Sequence, residues 1–164
     1  MQIRLLVTGG TFDKEYDELS GKLFFKDTHV HEMLRLARAD LDLEIRTLMM
    51  VDSLEMTDQD RDLVLQNCLE PGRERIVVTH GTDTMPETAR YLGERAAGRT
   101  IVLTGAMIPY TFGSSDGLFN LGCALAFVQV LPPGVYVAMN GRWFDWRTVM
   151  KNRSIGRFQA RTGD

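Results

Sequence analysis

The sequence predicts an α/β fold: a three-layer, doubly wound and mostly parallel sheet of the Rossmann or flavodoxin kind, with a carboxy-terminal β-hairpin. Short apolar runs without alternation are separated by segments of helical length, which is typical of parallel strands buried on both faces. Glycine, hydroxyl or acidic residues follow four of these runs directly. Asn140-Gly141, after the last run, indicates a tight hairpin turn.

The first half of the chain is predicted to contain two strands, two helices and one polar segment. Residues 3–7 form a buried strand that two glycines end, and the acidic segment 11–26 forms a mobile loop or a hairpin. Residues 28–38 form a helix that begins at a threonine suited to capping. A second strand covers residues 43–51. Residues 57–69 form a helix that opens on a threonine and, three residues later, an aspartate, which resembles a capping box.

The second half continues the same alternation of strand and helix. Residues 75–79, 100–104 and 135–139 are short apolar runs and are predicted as buried strands. Residues 84–97 form a helix with proline and glutamate in its first turn, where both are favoured. Apolar residues recur at helical spacing over 118–128, which predicts the last helix.

Composition excludes several classes of function. The 164 residues suffice for one domain, and the net charge of −3 provides no general field for nucleic acid or anionic lipid. No apolar run approaches the ~20 residues of a membrane span. The amino terminus lacks a signal-peptide pattern, so we expect a cytoplasmic protein. Cys68 and Cys123 are expected as buried free thiols, and His29 and His31 lack a third ligand for a metal site.

Four loops should meet at one edge of the predicted sheet, because ligands of such folds bind at the carboxyl ends of the strands. Thr11 follows two glycines, which permit a sharp turn and expose amides that can hold an oxyanion. A carboxylate such as Asp83 can grip an ammonium group, and the adjacent Thr82 can relay a proton. Taken alone, these residues equally fit turn and helix-capping roles. Gly9 and Gly10 are adjacent, which differs from the glycine spacing of the dinucleotide fingerprint, so no nucleotide cofactor is predicted.

Five motifs, taken in order, resemble those of the bacterial-type L-asparaginases and glutaminase-asparaginases, which are threonine amidohydrolases. The resemblance runs from about Arg4 to Lys151. The motifs are Thr8-Gly9-Gly10-Thr11, His80-Gly81-Thr82-Asp83-Thr84-Met85-x-Glu87-Thr88-Ala89, Gly105-Ala106-Met107-x-Pro109, Ser115-Asp116-Gly117-x-x-Asn120-Leu121, and Met139-Asn140 with Arg147-x-Val149-x-Lys151.

The resemblance implies a role for each matching catalytic position. Thr11 would attack the side-chain amide of the substrate and carry the acyl group. Thr82, Asp83 and Lys151 would relay protons and orient the substrate. Tyr16 is the candidate for the tyrosine of a mobile lid that activates the nucleophile.

The same resemblance implies a substrate pocket, and we expect neither a metal nor another cofactor in it. Ser53 would bind the α-carboxylate of the substrate, and the backbone carbonyl of Ala106 would contact the scissile amide. Gly10, Asp52 and Leu54 complete the expected substrate-binding set. Many family members have a polar residue, often Gln, where Leu54 stands, which suggests a less polar pocket here.

Three functions stay open at this point. The first is hydrolysis of L-asparagine to L-aspartate and ammonia, or of a related amide, through a threonine acyl-enzyme. The second is a catalytically weak amino-acid-binding protein or pseudoenzyme, and the third is the amidase component of a larger amidotransferase. Retention of Thr11, Thr82, Asp83 and Lys151 favours the first over the second. The net charge of −3 and the lack of a tRNA-facing domain weaken the third.

The resemblance also implies a single amino-terminal-type domain over residues 1–164, without the smaller carboxy-terminal domain of the family. In the family that second domain, from a neighbouring subunit, closes the active site. Trp143, Phe144 and Trp146 follow the hairpin turn, and alternate residues of a strand face opposite sides. We therefore expect at least one of these aromatics in the contact of a homodimer or homotetramer.

Overall fold

The computed structural model describes residues 1–161, so residues 162–164 of the predicted domain lie outside the described part. The helices are α1 (Val30–Leu36), α2 (Asp58–Leu69), α3 (Met85–Gly93) and α4 (Gly117–Val130), with two 3-10 helices at Thr11–Asp13 and Tyr110–Phe112. The strands are β1 (Gln2–Gly9), β2 (Lys14–Asp17), β3 (Lys22–Phe25), β4 (Asp42–Val51), β5 (Arg75–Thr79), β6 (Thr100–Thr104), β7 (Gly134–Met139), β8 (Arg142–Asp145), β9 (Val149–Asn152) and β10 (Arg157–Ala160).

Six strands form the central sheet, in the order β4-β1-β5-β6-β7-β8. The first five strands are parallel, and β8 pairs antiparallel with β7 across the Asn140-Gly141 turn. This arrangement confirms the predicted doubly wound sheet and its hairpin. Two further antiparallel pairs, β2–β3 and β9–β10, lie outside the central sheet.

Two of the helix starts illustrate how the local sequence sets the elements. At α2 the predicted capping box is present: the Thr57 hydroxyl accepts from the N–H of Asp60, and the Asp60 carboxylate accepts from the N–H of Thr57. At α1 the helix begins at Val30 rather than at Thr28. The hydroxyl of Thr28 donates to Asp13 and accepts from Val30 at 3.3 Å, so this residue joins the helix start to the loop after β1.

Alternate residues of the parallel strands pack into two separate hydrophobic cores. Leu6 and Val78 pack into the core that α2 and α3 cover. Leu5 and Val77 pack into the core that α1 and α4 cover. The sheet is therefore the middle of three layers, with two helices on each face.

The connection from β6 through α4 to β7 has the opposite hand to the other crossovers. The steps from β5 to β6 and from β6 to β7 run in the same direction across the sheet, yet α3 and α4 lie on opposite faces. The crossovers through α1, α2 and α3 share one hand. Because about 98% of such connections are right-handed, the α4 crossover is the left-handed one.

Within 1–161, no helix has the length and apolar character that a membrane span requires. Over the same residues, no group of three His, Cys, Asp or Glu side chains is placed to hold a metal ion. Both cysteines are free thiols, but Cys68 alone is buried and Cys123 is partly exposed.

Candidate active site

The loops after β1 and β5 lie at the point where the strand order of the central sheet reverses. From β1 the chain moves outward to β4 on one side, and it then crosses to β5 on the other side of β1. In open α/β sheets, ligands bind in the crevice outside the carboxyl ends of the strands at such a switch point. The loop after β1 contains Thr11, and the loop after β5 contains Thr82 and Asp83.

The two loops are in direct backbone contact through Gly10. This residue has a φ of +82°, and a Cβ built on it would lie 2.4 Å from the backbone N of Gly81. A residue with a Cβ does not fit at this contact, and the left-handed φ also favours glycine. The N–H of Gly10 donates to the carbonyl of Val51 at 3.1 Å, which ties the same turn to β4.

Lys151 joins two of the candidate site residues by hydrogen bonds. Its Nζ donates to Thr82 Oγ1 at 2.8 Å and to Asp83 Oδ1 at 2.8 Å. The lysine side chain is 9% exposed and the aspartate side chain is 38% exposed. Lys151 belongs to β9, so a strand outside the central sheet delivers its ammonium group to the loop after β5.

Thr11 is half-buried, and the two residues after it hold the turn in place. Phe12 and Asp13 are both fully buried. Asp13 Oδ1 accepts from the N–H of His29 at 2.8 Å and from the Thr28 hydroxyl at 3.0 Å, at the start of α1. Burial raises the pKa of Asp13 above its ordinary value, although these hydrogen bonds oppose the increase. Thr11 therefore lies on an anchored turn rather than on a free loop.

Ser53 packs directly against the loop that carries Thr82 and Asp83. A Cβ on Gly81 would lie 2.5 Å from Ser53 Oγ, so the two loops touch at this point. The Ser53 carbonyl accepts from the hydroxyl of Thr84 at 2.7 Å. Ser53 is 2% exposed, which places its side chain beneath the surface of the crevice.

Asp52 pairs with Lys14 of the β2–β3 hairpin rather than remaining free. Partial burial favours the neutral acid. The hydrogen bonds from Lys14 and from the N–H of Leu54 outweigh this effect, and the pKa of Asp52 lies below its ordinary value. The pair therefore links the hairpin to the loop after β4.

His80, the first residue of the loop after β5, is fully buried. Its Nδ1 lies 2.7 Å from the carbonyl oxygen of Gly81, which can only accept, so Nδ1 carries the proton. Its Nε2 lies 3.1 Å from the sulfur of Met56. Burial lowers the pKa of His80 to about 4, so the ring is neutral near pH 7 and fixes the carbonyl of Gly81.

Ala106 is buried at the edge of this group, in the loop after β6. A Cβ on the preceding residue, Gly105, would lie 2.3 Å from the carbonyl oxygen of His80. The loop after β6 therefore packs against the loop after β5. With this contact, all four loops predicted to meet at the sheet edge are adjacent.

Comparison with known proteins now identifies the family. A sequence model described as "Asparaginase, N-terminal" matches residues 2–161. The chain belongs to the asparaginase family. The L-asparaginase of Thermococcus kodakarensis is 32% identical over 161 residues, which cover 95% of this chain and 49% of that protein. The family resemblance stated from the motifs is thereby confirmed.

Solved structures of asparaginases share the fold of this chain. The thermostable L-asparaginase from Thermococcus kodakarensis has a TM-score of 0.86 at 31% identity, with 98% of this chain and 51% of that chain covered. A probable cytoplasmic L-asparaginase from Campylobacter jejuni has a TM-score of 0.85 at 30% identity, with 97% and 52% covered. This asparaginase-family chain thus spans about half the length of the relatives it matches.

Two of the expected site residues of this asparaginase-family chain have largely exposed side chains. Tyr16 lies on β2 and is 57% exposed, and its hydroxyl is near Gly21 in the hairpin turn. Leu54 is 64% exposed, next to Ser53.

Three polar residues that connect the site loops were not predicted from the sequence. Lys14 had no distinguishing signal, because one lysine in an acidic loop resembles any other. Asp116 and Asn120 stood in a motif of the family resemblance, but no role was assigned to them. Both are now seen to hold the loop that contains Ala106.

Proposed function

We propose that this chain hydrolyses a side-chain amide, converting L-asparagine to L-aspartate and ammonia or acting on a related amide. The observation that carries the proposal is the group of Lys151, Thr82 and Asp83, held together beside the Thr11 turn. The names of two relatives, an L-asparaginase and a glutaminase-asparaginase, support the same reaction class.

In the proposed reaction, Thr11 is the nucleophile. Its hydroxyl oxygen attacks the carbon of the amide, the C–N bond breaks, and the nitrogen leaves as ammonia after taking up a proton. Water then attacks the ester at Thr11, which releases the acid and restores the hydroxyl. Thr82 can take part in moving the proton, because its oxygen accepts from Lys151 while its own hydrogen is available for donation.

Substrate orientation is assigned to groups around this centre. Asp83 uses Oδ1 for Lys151, and its other carboxylate oxygen can accept from the α-ammonium group of the substrate. Ser53 would receive the α-carboxylate, and the carbonyl of Ala106 would receive the N–H of the amide. Gly10 contributes the close backbone approach, with Asp52 and Leu54 at the rim.

Ammonia release from L-asparagine, L-glutamine and simpler amides tests the proposal. We expect Thr11→Ala and Lys151→Met each to lower turnover by about 1,000-fold or more, because both residues belong to one unit. Lys26→Met, at an exposed position, is the matched control and should retain wild-type turnover. Wild-type ammonia release by Thr11→Ala would overturn the mechanism. Binding of L-asparagine without turnover by the wild type would favour the weak-binding alternative.

We also propose a homodimer or homotetramer with a contact at Trp143. This side chain lies on β8, the edge strand of the sheet, and is 47% exposed. Its ring meets the ring of Tyr136 edge to face, so it is held as a rigid apolar surface. Phe144 is buried, and Trp146 packs flat on Gly93. Light scattering should therefore give a multiple of 18.6 kDa that falls in Trp143→Ser, and a wild-type monomer would refute the contact.

We propose the cytoplasm as the location of the protein. The Campylobacter jejuni relative described as a probable cytoplasmic L-asparaginase supports this assignment. Cell fractionation with an antibody to the native chain measures it directly, and recovery in an extracytoplasmic fraction would contradict it.

A further inference from the structure

Asn120 is a fully buried side chain of α4 that joins the carboxyl ends of β6 and β7. Its Nδ2 donates to the carbonyl of Gly105 at 2.9 Å and to Asp116 Oδ2 at 2.9 Å. Its Oδ1 accepts from the N–H of Asn140 at 3.0 Å. Both amide hydrogens and the carbonyl oxygen are therefore used. A shift of any partner would leave a buried polar group unpaired, which makes the arrangement stiff.

Asp116 holds the other side of the same loop. Its carboxylate accepts from the N–H of Met107 at 3.0 Å and from the N–H of Ile108 at 3.1 Å. The residue precedes α4, but its side chain makes no capping hydrogen bond with that helix. Because hydrogen bonds to an ionised carboxylate are stronger than neutral ones, Asp116 fixes these two amides firmly.

Ala106 lies between the points that these two side chains hold. The carbonyl of Gly105 is bound before it, and the amides of Met107 and Ile108 are bound after it. Gly105 also packs against the carbonyl of His80, in the loop that carries Thr82. A displacement of residues 105–108 would therefore move the carbonyl of Ala106 relative to the rest of the site.

We propose that Asn120 and Asp116 are positioning residues that set the orientation of the Ala106 carbonyl for amide recognition. This inference rests on the function proposed above. Positioning predicts a loss of kcat in correctly folded protein, since a misplacement of about 1 Å can cost about 100-fold in rate. A merely structural role predicts lower stability with unchanged kcat at temperatures where the protein is folded.

Amide hydrogen exchange tests the positioning without requiring activity. Asn120→Asp retains the size of the side chain but directs an acceptor toward the carbonyl of Gly105 and the carboxylate of Asp116. We expect exchange at the amides of Met107 and Ile108 to become about tenfold faster or more, because a buried hydrogen-bond network is broken. Unchanged exchange at these amides would overturn the proposal.

The control for that variant is Thr104→Val. Thr104 is also buried, and its hydroxyl donates to the carbonyl of Ala138 at 2.9 Å, so this side chain links the same two strands without a hydrogen bond to residues 105–108. We expect this variant to lose stability while exchange at residues 107 and 108 stays as in the wild type. Faster exchange in both variants would show a general loosening of the strand ends and would contradict a specific role.

Steady-state kinetics with L-asparagine complete the test. We expect Asn120→Asp to lower kcat by about 100-fold with little change in KM, and Thr104→Val to leave kcat unchanged. Asp116→Asn should lose less, because its remaining oxygen can still accept from Met107 and Ile108. If the wild type releases no ammonia, the proposed function fails and the exchange measurements alone decide the positioning. Faster exchange combined with a wild-type kcat in Asn120→Asp would overturn the positioning role.

Discussion

Replacing His80 with Asn should reduce the loss in the free energy of unfolding as the pH falls from 7 to 4. The pKa of His80 is lowered by burial from 6.5 to about 4 in the folded protein. Between these pH values the unfolded chain binds a proton at this residue and the folded chain does not, so the free energy of unfolding decreases as the pH falls. The gap from 6.5 to about 4 corresponds to about 3 kcal/mol, most of which is lost by pH 4.

Urea denaturation from pH 7 to pH 4 measures this effect. The carboxylates titrate in both proteins, so the difference between the wild type and His80→Asn isolates the histidine. We expect the variant to be less stable at pH 7, because the smaller side chain leaves a cavity, and to lose less stability on acidification. His31→Asn, at an exposed position of α1, is the matched control and should follow the wild type. Equal pH dependence in the wild type and His80→Asn would refute the reasoning.

Three further predictions concern the turn, a helix cap and the hairpin. Gly10→Ala should abolish ammonia release, because its Cβ would lie 2.4 Å from the backbone of Gly81; wild-type release would contradict the contact. Thr57→Ala should lower the free energy of unfolding by about 1 kcal/mol in urea denaturation, and no loss would mean that the capping box is not formed. Lys14→Met should speed amide exchange in β2 and β3, since the ion pair with Asp52 is lost, and exchange equal to the wild type would exclude the pair as an anchor.

The strands of the sheet were predictable from local sequence. Residues 75–79 and 100–104 match β5 and β6 at both ends. Each is an unbroken run of mostly β-branched residues, and such runs fit a strand buried on both faces. The parallel order then placed the loops after four strands at one edge, which brought Thr82, Asp83 and Ser53 together as expected.

Other features depend on contacts between distant segments, which local patterns do not contain. The helical spacing of residues 118–128 predicted α4 but did not show on which face of the sheet it packs. The hydrogen bond between Lys151 and Asp83 joins residues 68 positions apart, and the family resemblance alone indicated it. For Asn120, the pattern is equally that of a polar residue in any amphipathic helix, and the three partners of this buried side chain become visible only in three dimensions.

The reversed hand of the α4 crossover leaves room for the segment that carries Lys151. With α4 on the same side as α1, the other side of β7 is filled by Val149 and Phe158, which pack into the core beneath α3. A right-handed crossover would place a helix on that side of β7 and exclude β9 from it. A redesign that reversed this one connection could preserve the neighbours of every strand in the central sheet, and it would still remove the path by which the lysine reaches Asp83.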